Sequence, residues 1–347
     1  MHAPSLAAGR PGDRGVAIWL LACCALVFAM VMIGGITRLT HSGLSIVEWQ
    51  PIIGTVPPLD DSSWQDAFRK YQQTPEFLQI NPGMELAGFK RIFWWEYVHR
   101  LLGRLIGAAF LLPLLWFAVR GRIGGTLTWK LAAIFALGAL QGAMGWAMVQ
   151  SGLVDNPRVS QYRLAAHLGM ALLIYATMLW IALDLIFPRK EGAPAGPRRM
   201  AFALAALVFA QALSGALVAG IHAGFAYNTF PLMGGHVVPP GMFVLEPWVL
   251  NFFANVATVQ FDHRLIAWLL ALLVPWFWVR VRRARASPRA RLAADLLLAA
   301  LVLQIALGIS TLLLTVPVPL AAAHQAGALL VFTAALFAAH TLRRPGA

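Results

Sequence analysis

Glu96-Tyr97-Val98-His99-Arg100-Leu101 lies inside a long apolar stretch near residues 92–119. A similar run, Gln-Phe-Asp-His-Arg-Leu at residues 260–265, lies inside a second apolar stretch near 257–279. Ionisable side chains inside a membrane-length apolar segment are costly and mark function by default. The two runs therefore predict a duplicated membrane fold in which these polar residues carry the function.

The composition supports a polytopic membrane protein. Of the 347 residues, 59% are apolar and 12% are charged, whereas soluble domains carry about 25% charge. A disordered chain or a disulfide scaffold is excluded, and Cys23 and Cys24 are predicted to be packing residues of the first span. A bilayer crossing needs roughly 20 apolar residues, and eight stretches qualify, near 16–36, 92–119, 130–151, 163–187, 200–221, 257–279, 292–315 and 319–341.

The basic residues orient these spans. With the N-terminus inside, the inner segments hold 17 of the 27 Lys and Arg residues and the outer segments hold seven. This bias predicts that both termini are cytoplasmic, in a bacterial inner membrane. The net charge of +13 then reports topology and lipid contact, and no nucleic-acid partner is expected.

The two halves of the chain repeat each other. His167 in the fourth span matches His324 in the eighth, and His41-Ser-Gly matches His222-Ala-Gly after the first and fifth spans. Together with the opening pair of runs, these matches predict an all-α protein of two tandem, pseudo-symmetric four-helix bundles. We place the division between residues 1–190 and 191–347.

Four histidines occupy equivalent helices at one depth. His99, His167, His263 and His324 lie about 4–8 residues into the predicted spans two, four, six and eight, near the outer face. Spans two and four are diagonal in an up-down bundle, so two inward imidazoles can bind a haem iron from opposite sides. A zinc site would require four convergent ligands. We therefore predict one haem-sized site per half, His99 with His167 and His263 with His324.

Charged neighbours distinguish the two predicted sites. Glu96 lies one helical turn before His99, where the second copy has Gln260, so a carboxylate able to act as a base is confined to the N-terminal half. An interfacial role at a helix N-terminus is the alternative for Glu96. Three arginines inside spans are candidates to bind haem propionates, with Glu96, Asp262 or lipid headgroups as alternative partners: Arg100, Arg104 and Arg264.

Residues 34–45, 48–51, 54–58 and 96–104 resemble the haem A synthase family, in the branch whose first outer loop lacks cysteines. The resemblance covers nearly the whole chain. It implies an oxidoreductase acting on a CH group, which converts the C8 methyl of haem O to a formyl group. Two successive hydroxylations with water-derived oxygen give a geminal diol, which loses water to yield haem A for terminal oxidases.

The resemblance also implies the roles of the sites. One haem b cofactor belongs to His263 and His324, substrate haem O belongs to His99 and His167, and the essential acidic residue is Glu96. Partners are haem O and haem A, with haem O synthase, an unidentified electron acceptor and a second copy of the chain as further candidates. The absence of loop cysteines leaves open any thiol-mediated step.

Two further features lie on the outer side. His41 and His222 are candidates to support the haem ligands of the two sites without binding haem themselves. The long outer segment 37–91, with predicted helical patches at 62–71 and 82–89, is either a cap over the substrate site or an interfacial anchor. The competing function is a di-haem b-type cytochrome that oxidises quinol; it would place its haems at two depths. A transporter would require broken helices and a midplane site.

Overall fold

The computed structural model describes residues 11–50, 53–153, 157, 159–188 and 195–343. Within these ranges the fold consists of α-helices joined by loops and short 3-10 turns. In chain order the helices are α1 Pro11–Leu39, α2 Asp61–Tyr71, α3 Pro75–Gln79, α4 Leu86–Val119, α5 Thr126–Gly152, α6 Gln161–Ile186, α7 Ala195–Gly220, α8 Asn251–Ala254, α9 Val256–Arg283, α10 Pro288–Leu313 and α11 Val318–Thr341.

Among the described residues, the helices long and apolar enough to cross a membrane are the eight predicted from sequence: α1, α4, α5, α6, α7, α9, α10 and α11. The largest difference is the start of α4, which begins at Leu86 instead of near residue 92. These extra residues carry charge at Lys90 and Arg91 and bury Phe89, so they belong to the outer segment. His99 consequently lies 13 residues after the start of its helix, and the predicted 4–8 residues is wrong for this histidine.

Each half forms a closed ring of four helices. In the first ring α1 contacts α4, α4 contacts α5, α5 contacts α6 and α6 returns to α1. The second ring repeats this order with α7, α9, α10 and α11. The diagonal pairs are therefore α4 with α6 and α9 with α11, as expected from the up-down arrangement. The helices that carry the four histidines are these diagonal pairs.

The two rings pack through α6 against α7, α1 against α11 and α6 against α11. Near the outer side, the Gln325 amide donates to the Val31 carbonyl at 2.8 Å. Near the inner side, Asp184 of α6 binds both His340 Nε2 at 3.1 Å and Arg343 Nη2 at 2.9 Å. The predicted boundary at 190/191 lies outside the described residues and stays a prediction, but polar contacts join the two rings near both ends of the helices.

Cys23 and Cys24 lie in the buried packing face of α1, with 1% and 4% of their surface exposed. This position is consistent with the packing role predicted for both residues.

The outer segment contains a small cap built on α2 and α3. The Asp60 side chain caps α2 by accepting from the Ser63 amide at 2.8 Å, which satisfies a free donor of the first turn. α2 buries Trp64, Phe68 and Tyr71 at helical spacing against Phe89 and Phe93 of α4. The predicted helix at 62–71 is confirmed by α2. The aromatic contacts attach the cap to the outer end of α4.

The predicted helical patch at 82–89 is wrong. Gly83 takes a left-handed backbone angle, φ +90°, that interrupts a helix, and residues from Leu86 onward belong to α4. The second short helix of this segment is α3, and its start is marked in the sequence by Thr74-Pro75. Thr74 accepts from the Phe77 amide at 3.3 Å and proline occupies the first helical position, a standard start signal.

Glu76 of α3 is a buried carboxyl group in this cap. Only 3% of its surface is exposed, and its Oε2 has no hydrogen-bond partner among the described residues. Burial, with repulsion from Glu96 added, raises the pKa of Glu76 from 4.5 to about 8. Glu76 is therefore protonated at neutral pH in the folded cap.

This raised pKa predicts a cap that weakens as the pH rises. The folded state holds the Glu76 proton more tightly than the unfolded state, so the contribution is present below about pH 4.5 and is lost toward pH 8. Between pH 5 and 7 the loss is about 2–3 kcal/mol, at about 1.4 kcal/mol per pKa unit. We expect Glu76→Gln to remove this dependence, measured as hydrogen exchange of residues 61–79 corrected for intrinsic rates.

The control is Glu85→Gln, since the Glu85 side chain is exposed. That variant should behave as the wild type does. If residues 61–79 were equally protected from hydrogen exchange in the wild type and in Glu76→Gln, at pH 5 and at pH 7, the assignment of a buried, protonated Glu76 would be contradicted.

Candidate functional site

The C-terminal ring brings two histidine side chains close together. His263 of α9 and His324 of α11 have ring centroids 6.5 Å apart with an interplanar angle of 78°. Two imidazoles that bind one metal ion from opposite sides at about 2 Å have centroids about 6 Å apart. The pair predicted from sequence is therefore brought together at the spacing that a shared iron requires.

The N-terminal ring carries its predicted pair on the equivalent helices. His99 of α4 and His167 of α6 lie on the diagonal helices and within electrostatic range of each other. In both rings each imidazole packs against a glycine on a neighbouring helix of the same ring. A Cβ at these glycines would lie 2.8–3.3 Å from the ring, in the pairs Gly34–His99, Gly145–His167, Gly215–His263 and Gly308–His324.

These glycines also establish the depth of the sites. Gly34, Gly215 and Gly308 each lie five residues before the end of their helix, and Gly145 lies seven residues before the end of α5. At 1.5 Å per residue, all four contacts are within about 11 Å of the same face of the helical bundle. The common depth predicted for the histidines is supported, including His99, whose helix simply begins further out.

The donor set fits a haem in each ring. His167 Nδ1 and His324 Nδ1 are buried without a hydrogen-bond partner among the described residues. Buried polar atoms are normally hydrogen-bonded, so these two unpaired atoms are expected where a bound ligand forms part of the site. His263 Nδ1 lies 2.6 Å from Ser214 Oγ. A proton on Nδ1 directed at Ser214 leaves the Nε2 lone pair for a metal ion.

Glu96 is the most strongly hydrogen-bonded side chain near the first pair. It is 2% exposed, and its Oε2 accepts from Ser45 Oγ and from the Ile46 amide, each at 2.8 Å. Its Oε1 accepts from Arg100 Nη2 at 2.6 Å and Nε at 3.0 Å. The carboxylate thus anchors the loop after α1 to α4, a contact that sequence reasoning did not predict.

Gln260 holds the equivalent loop in the second ring with a neutral amide in place of the Glu96 carboxyl group. Its amide donates to the Ala223 carbonyl at 2.8 Å, and its Oε1 accepts from Arg264 Nη2 at 3.3 Å. Glu96 and Gln260 therefore occupy the same place in the two rings, and only the first carries a charge. The predicted asymmetry of the two sites is present in the folded protein.

The three arginines inside the spans all bind the outer loops. Arg100 donates to the carbonyls of Ile46 and Glu48, Arg104 to that of Gln50, and Arg264 to those of Tyr227 and Thr229. For Arg100 the partner is also Glu96, one of the alternatives considered from sequence. The propionate role stays a prediction, and loop anchoring is the role that the contacts support.

His41 and His222 meet each other where the two rings join. Their rings stack at 5.8 Å with an interplanar angle of 13°, and Arg38 Nη2 lies 3.2 Å from His222 Nε2. Both residues take left-handed backbone angles, φ 51° and 57°. Burial, with the nearby Arg38 charge added, lowers the pKa of His41. Their predicted role in supporting the haem ligands stays a prediction, but in the structure His41 and His222 form a contact between the two rings.

The duplication pairs Gln141 and Gly145 with Gln304 and Gly308, but sequence reasoning missed Ser45, which binds Glu96, and Ser214 and Gln211, which bind His263. Ser45 and Ser214 carried no recognisable signal. A signal for Gln211 existed, since Gln-x-x-x-Gly occurs at 141–145, 211–215 and 304–308 in three of the four outward-running helices. Gln211 Nε2 donates to the His263 carbonyl at 3.0 Å, as Gln141 and Gln304 do to His167 and His324.

Over the described residues, the fold and the histidines define the class of protein: an all-helical integral membrane protein of two four-helix rings, each with two histidines near one face. A sequence model of the cytochrome oxidase assembly protein family matches residues 17–336. The haem A synthase of Nitrosospira multiformis is 63% identical over 336 residues, covering 96% of this chain and 94% of that protein. The haem A synthase of Paramagnetospirillum magneticum is 51% identical and covers 95% and 94%. The chain belongs to the haem A synthase family.

Proposed function

We propose that the protein oxidises the C8 methyl group of haem O to the formyl group of haem A. The observation that carries this proposal is the asymmetry of two otherwise equivalent histidine pairs. A buried carboxylate, Glu96, accompanies the first pair, and a neutral amide, Gln260, accompanies the second. One half is therefore equipped for chemistry and the other for holding a permanent cofactor.

The two halves divide the haems. His99 and His167 hold substrate haem O in the N-terminal half, and His263 and His324 hold one haem b in the C-terminal half. When bound, haem b supplies one-electron chemistry. The spacing of His263 and His324 and the hydrogen bond of His263 to Ser214 support this assignment.

Glu96 is the residue proposed to handle protons. Conversion of a methyl group and one water to a formyl group releases four protons and four electrons. The Ser45, Ile46 and Arg100 donors fix the position of the Glu96 carboxyl group. As a carboxylate, it would stabilise positive charge at the reacting methyl carbon and receive a proton from water. The electrons leave to an acceptor that is a separate partner.

The sites face the outer side of the membrane. The positive-inside distribution supports cytoplasmic termini in the inner membrane, and the four glycine–histidine contacts lie near the opposite ends of the helices. The cap of α2 and α3 covers the outer end of α4, which supports shielding of the substrate site by residues 37–91. Haem O synthase and a second copy of the chain remain candidate partners.

Pigment extraction tests the function directly. The chain is expressed in a host that makes haem O but no haem A, and the haems of its membranes are extracted and identified by mass. We expect haem A, with haem b in the purified protein. Bound haem b with no haem A would favour the di-haem cytochrome, which the two equivalent histidine pairs would also serve.

A further inference from the structure

Three of the four histidines are held by a glutamine on the neighbouring helix. Nε2 of the glutamine donates to the backbone carbonyl of the histidine at 2.9 Å for Gln141 and His167, 3.0 Å for Gln211 and His263, and 2.9 Å for Gln304 and His324. Each glutamine precedes the glycine that contacts the imidazole by four residues, one helical turn. We call this arrangement the glutamine clamp.

The first ring departs from the clamp at one position. The residue four before Gly34 is Met30, whose thioether cannot donate a hydrogen bond. Among the described residues, neither the carbonyl nor the ring of His99 has a side-chain hydrogen-bond partner.

A second sequence difference distinguishes His99 from the other three histidines. Four residues after each clamped histidine the chain has alanine, at Ala171, Ala267 and Ala328, whereas after His99 it has Gly103. The Met30 methyl group lies 3.3 Å from the position of a Cβ at Gly103. The glycine therefore makes room for the methionine, and the pair replaces a hydrogen bond with an apolar contact.

The physical consequence is a difference in how firmly the helices are tied together beside each ring. A clamp joins two helices through a directional bond at the height of the imidazole, in a membrane interior where water does not compete. The Met30–Gly103 contact is non-directional, and methionine is flexible. Other hydrogen bonds do join α1 to α4, from Trp19 to the Ala109 carbonyl at 2.8 Å and from Thr37 to the Trp95 carbonyl at 3.3 Å, but none reaches the backbone of His99. Local movement of the α4 backbone at His99 therefore costs less than the equivalent movement at the other three histidines.

We infer that His99 is the releasable axial ligand of the substrate haem, and that Met30 and Gly103 are the positioning residues that make it so. This rests on the proposed division of the haems between the halves. A substrate haem has to enter and the product haem has to leave, whereas haem b stays bound. The clamp is complete for both ligands of haem b, Gln211 with Gln304, and for only one ligand of the substrate haem, Gln141.

Haem transfer to a scavenger tests this inference. Purified protein that holds haem b and haem O is mixed with excess apomyoglobin, and the haem that leaves is followed by absorbance and identified after extraction. In the wild type we expect haem O to leave faster than haem b. Met30→Gln should slow the loss of haem O about fivefold, the size expected for one added hydrogen bond. Gln304→Met should accelerate the loss of haem b by a similar factor.

Carbon monoxide provides a readout that a general loss of stability would not reproduce. It binds reduced haem only where an axial position opens, so the haem O fraction that binds it should fall in Met30→Gln and be unchanged in Met30→Leu. Unchanged transfer and unchanged carbon monoxide binding in Met30→Gln would overturn the inference. If Met30→Gln does not accumulate, Gln141→Met must accelerate haem O loss, and failure to do so overturns it equally. A wild type that never binds haem O would instead refute the proposed function, while Gln304→Met still tests the clamp on haem b.

Discussion

Replacement of Glu96 by glutamine is expected to lower haem A formation at least about 100-fold while haem b remains bound. A positioned acid or base contributes about 10²–10⁴ to a rate, and glutamine can neither take up a proton nor carry the negative charge. The variant would give the first ring the neutral side chain that Gln260 provides in the second. The measurement is the ratio of haem A to haem O in extracts, with haem b content of the purified protein determined in parallel.

Two comparisons separate a chemical role of Glu96 from loop anchoring. Glu48→Gln removes another carboxylate of the outer segment, one that is half-exposed and pairs with Lys70 at 2.8 Å, and should leave conversion unchanged. Arg100→Lys keeps the charge beside Glu96 but loses donors to the carbonyls of Ile46 and Glu48. If Arg100→Lys and Glu96→Gln were equally inactive, anchoring of the loop would account for the whole effect of Glu96.

Replacement of His324 and of His167 by alanine should have opposite effects on the two haems. His324→Ala removes a ligand of haem b, and we expect binding at least 10–100-fold weaker, because even removing a partner behind a metal ligand typically costs that much. His167→Ala should retain haem b and lose haem O. Absorption spectra and extracted haems of the two purified variants provide the measurement.

The two variants are matched controls for each other. Each histidine lies on the last helix of its ring, packs against a glycine and has a glutamine at its carbonyl. Non-specific damage would therefore affect both haems in both variants. Loss of haem b from His167→Ala with haem b retained in His324→Ala would reverse the assignment of the halves.

The sequence alone was sufficient for the spans, and it predicted the histidine pairs. Helix existence follows from apolar length and bilayer thickness, which are local properties of the chain. The pairing of His99 with His167 and of His263 with His324 followed from the duplication, since equivalent spans of an up-down bundle must occupy equivalent places. The difference between Glu96 and Gln260, which precede equivalent histidines in the two halves, is also visible in the amino-acid sequence.

The tertiary structure was required wherever a role depends on helix rotation, tilt or loop path. Neither hydropathy nor the duplication indicates that the Glu96 carboxylate turns to Ser45 and Ile46, or that His41 stacks on His222. The same holds for Met30 beside Gly103, and for Glu76, which becomes a buried acid only because α3 packs its side chain inside the cap.

The physical reason for this division is the range of the interactions involved. The amino-acid sequence determined how many helices cross the membrane and which polar residues they carry, because transfer into lipid depends on each segment by itself. Only packing between helices decided which of those residues touch. The rotation of one helix relative to another depends on contacts between residues distant in the chain, such as the contact of Gln325 with Val31 across the two rings.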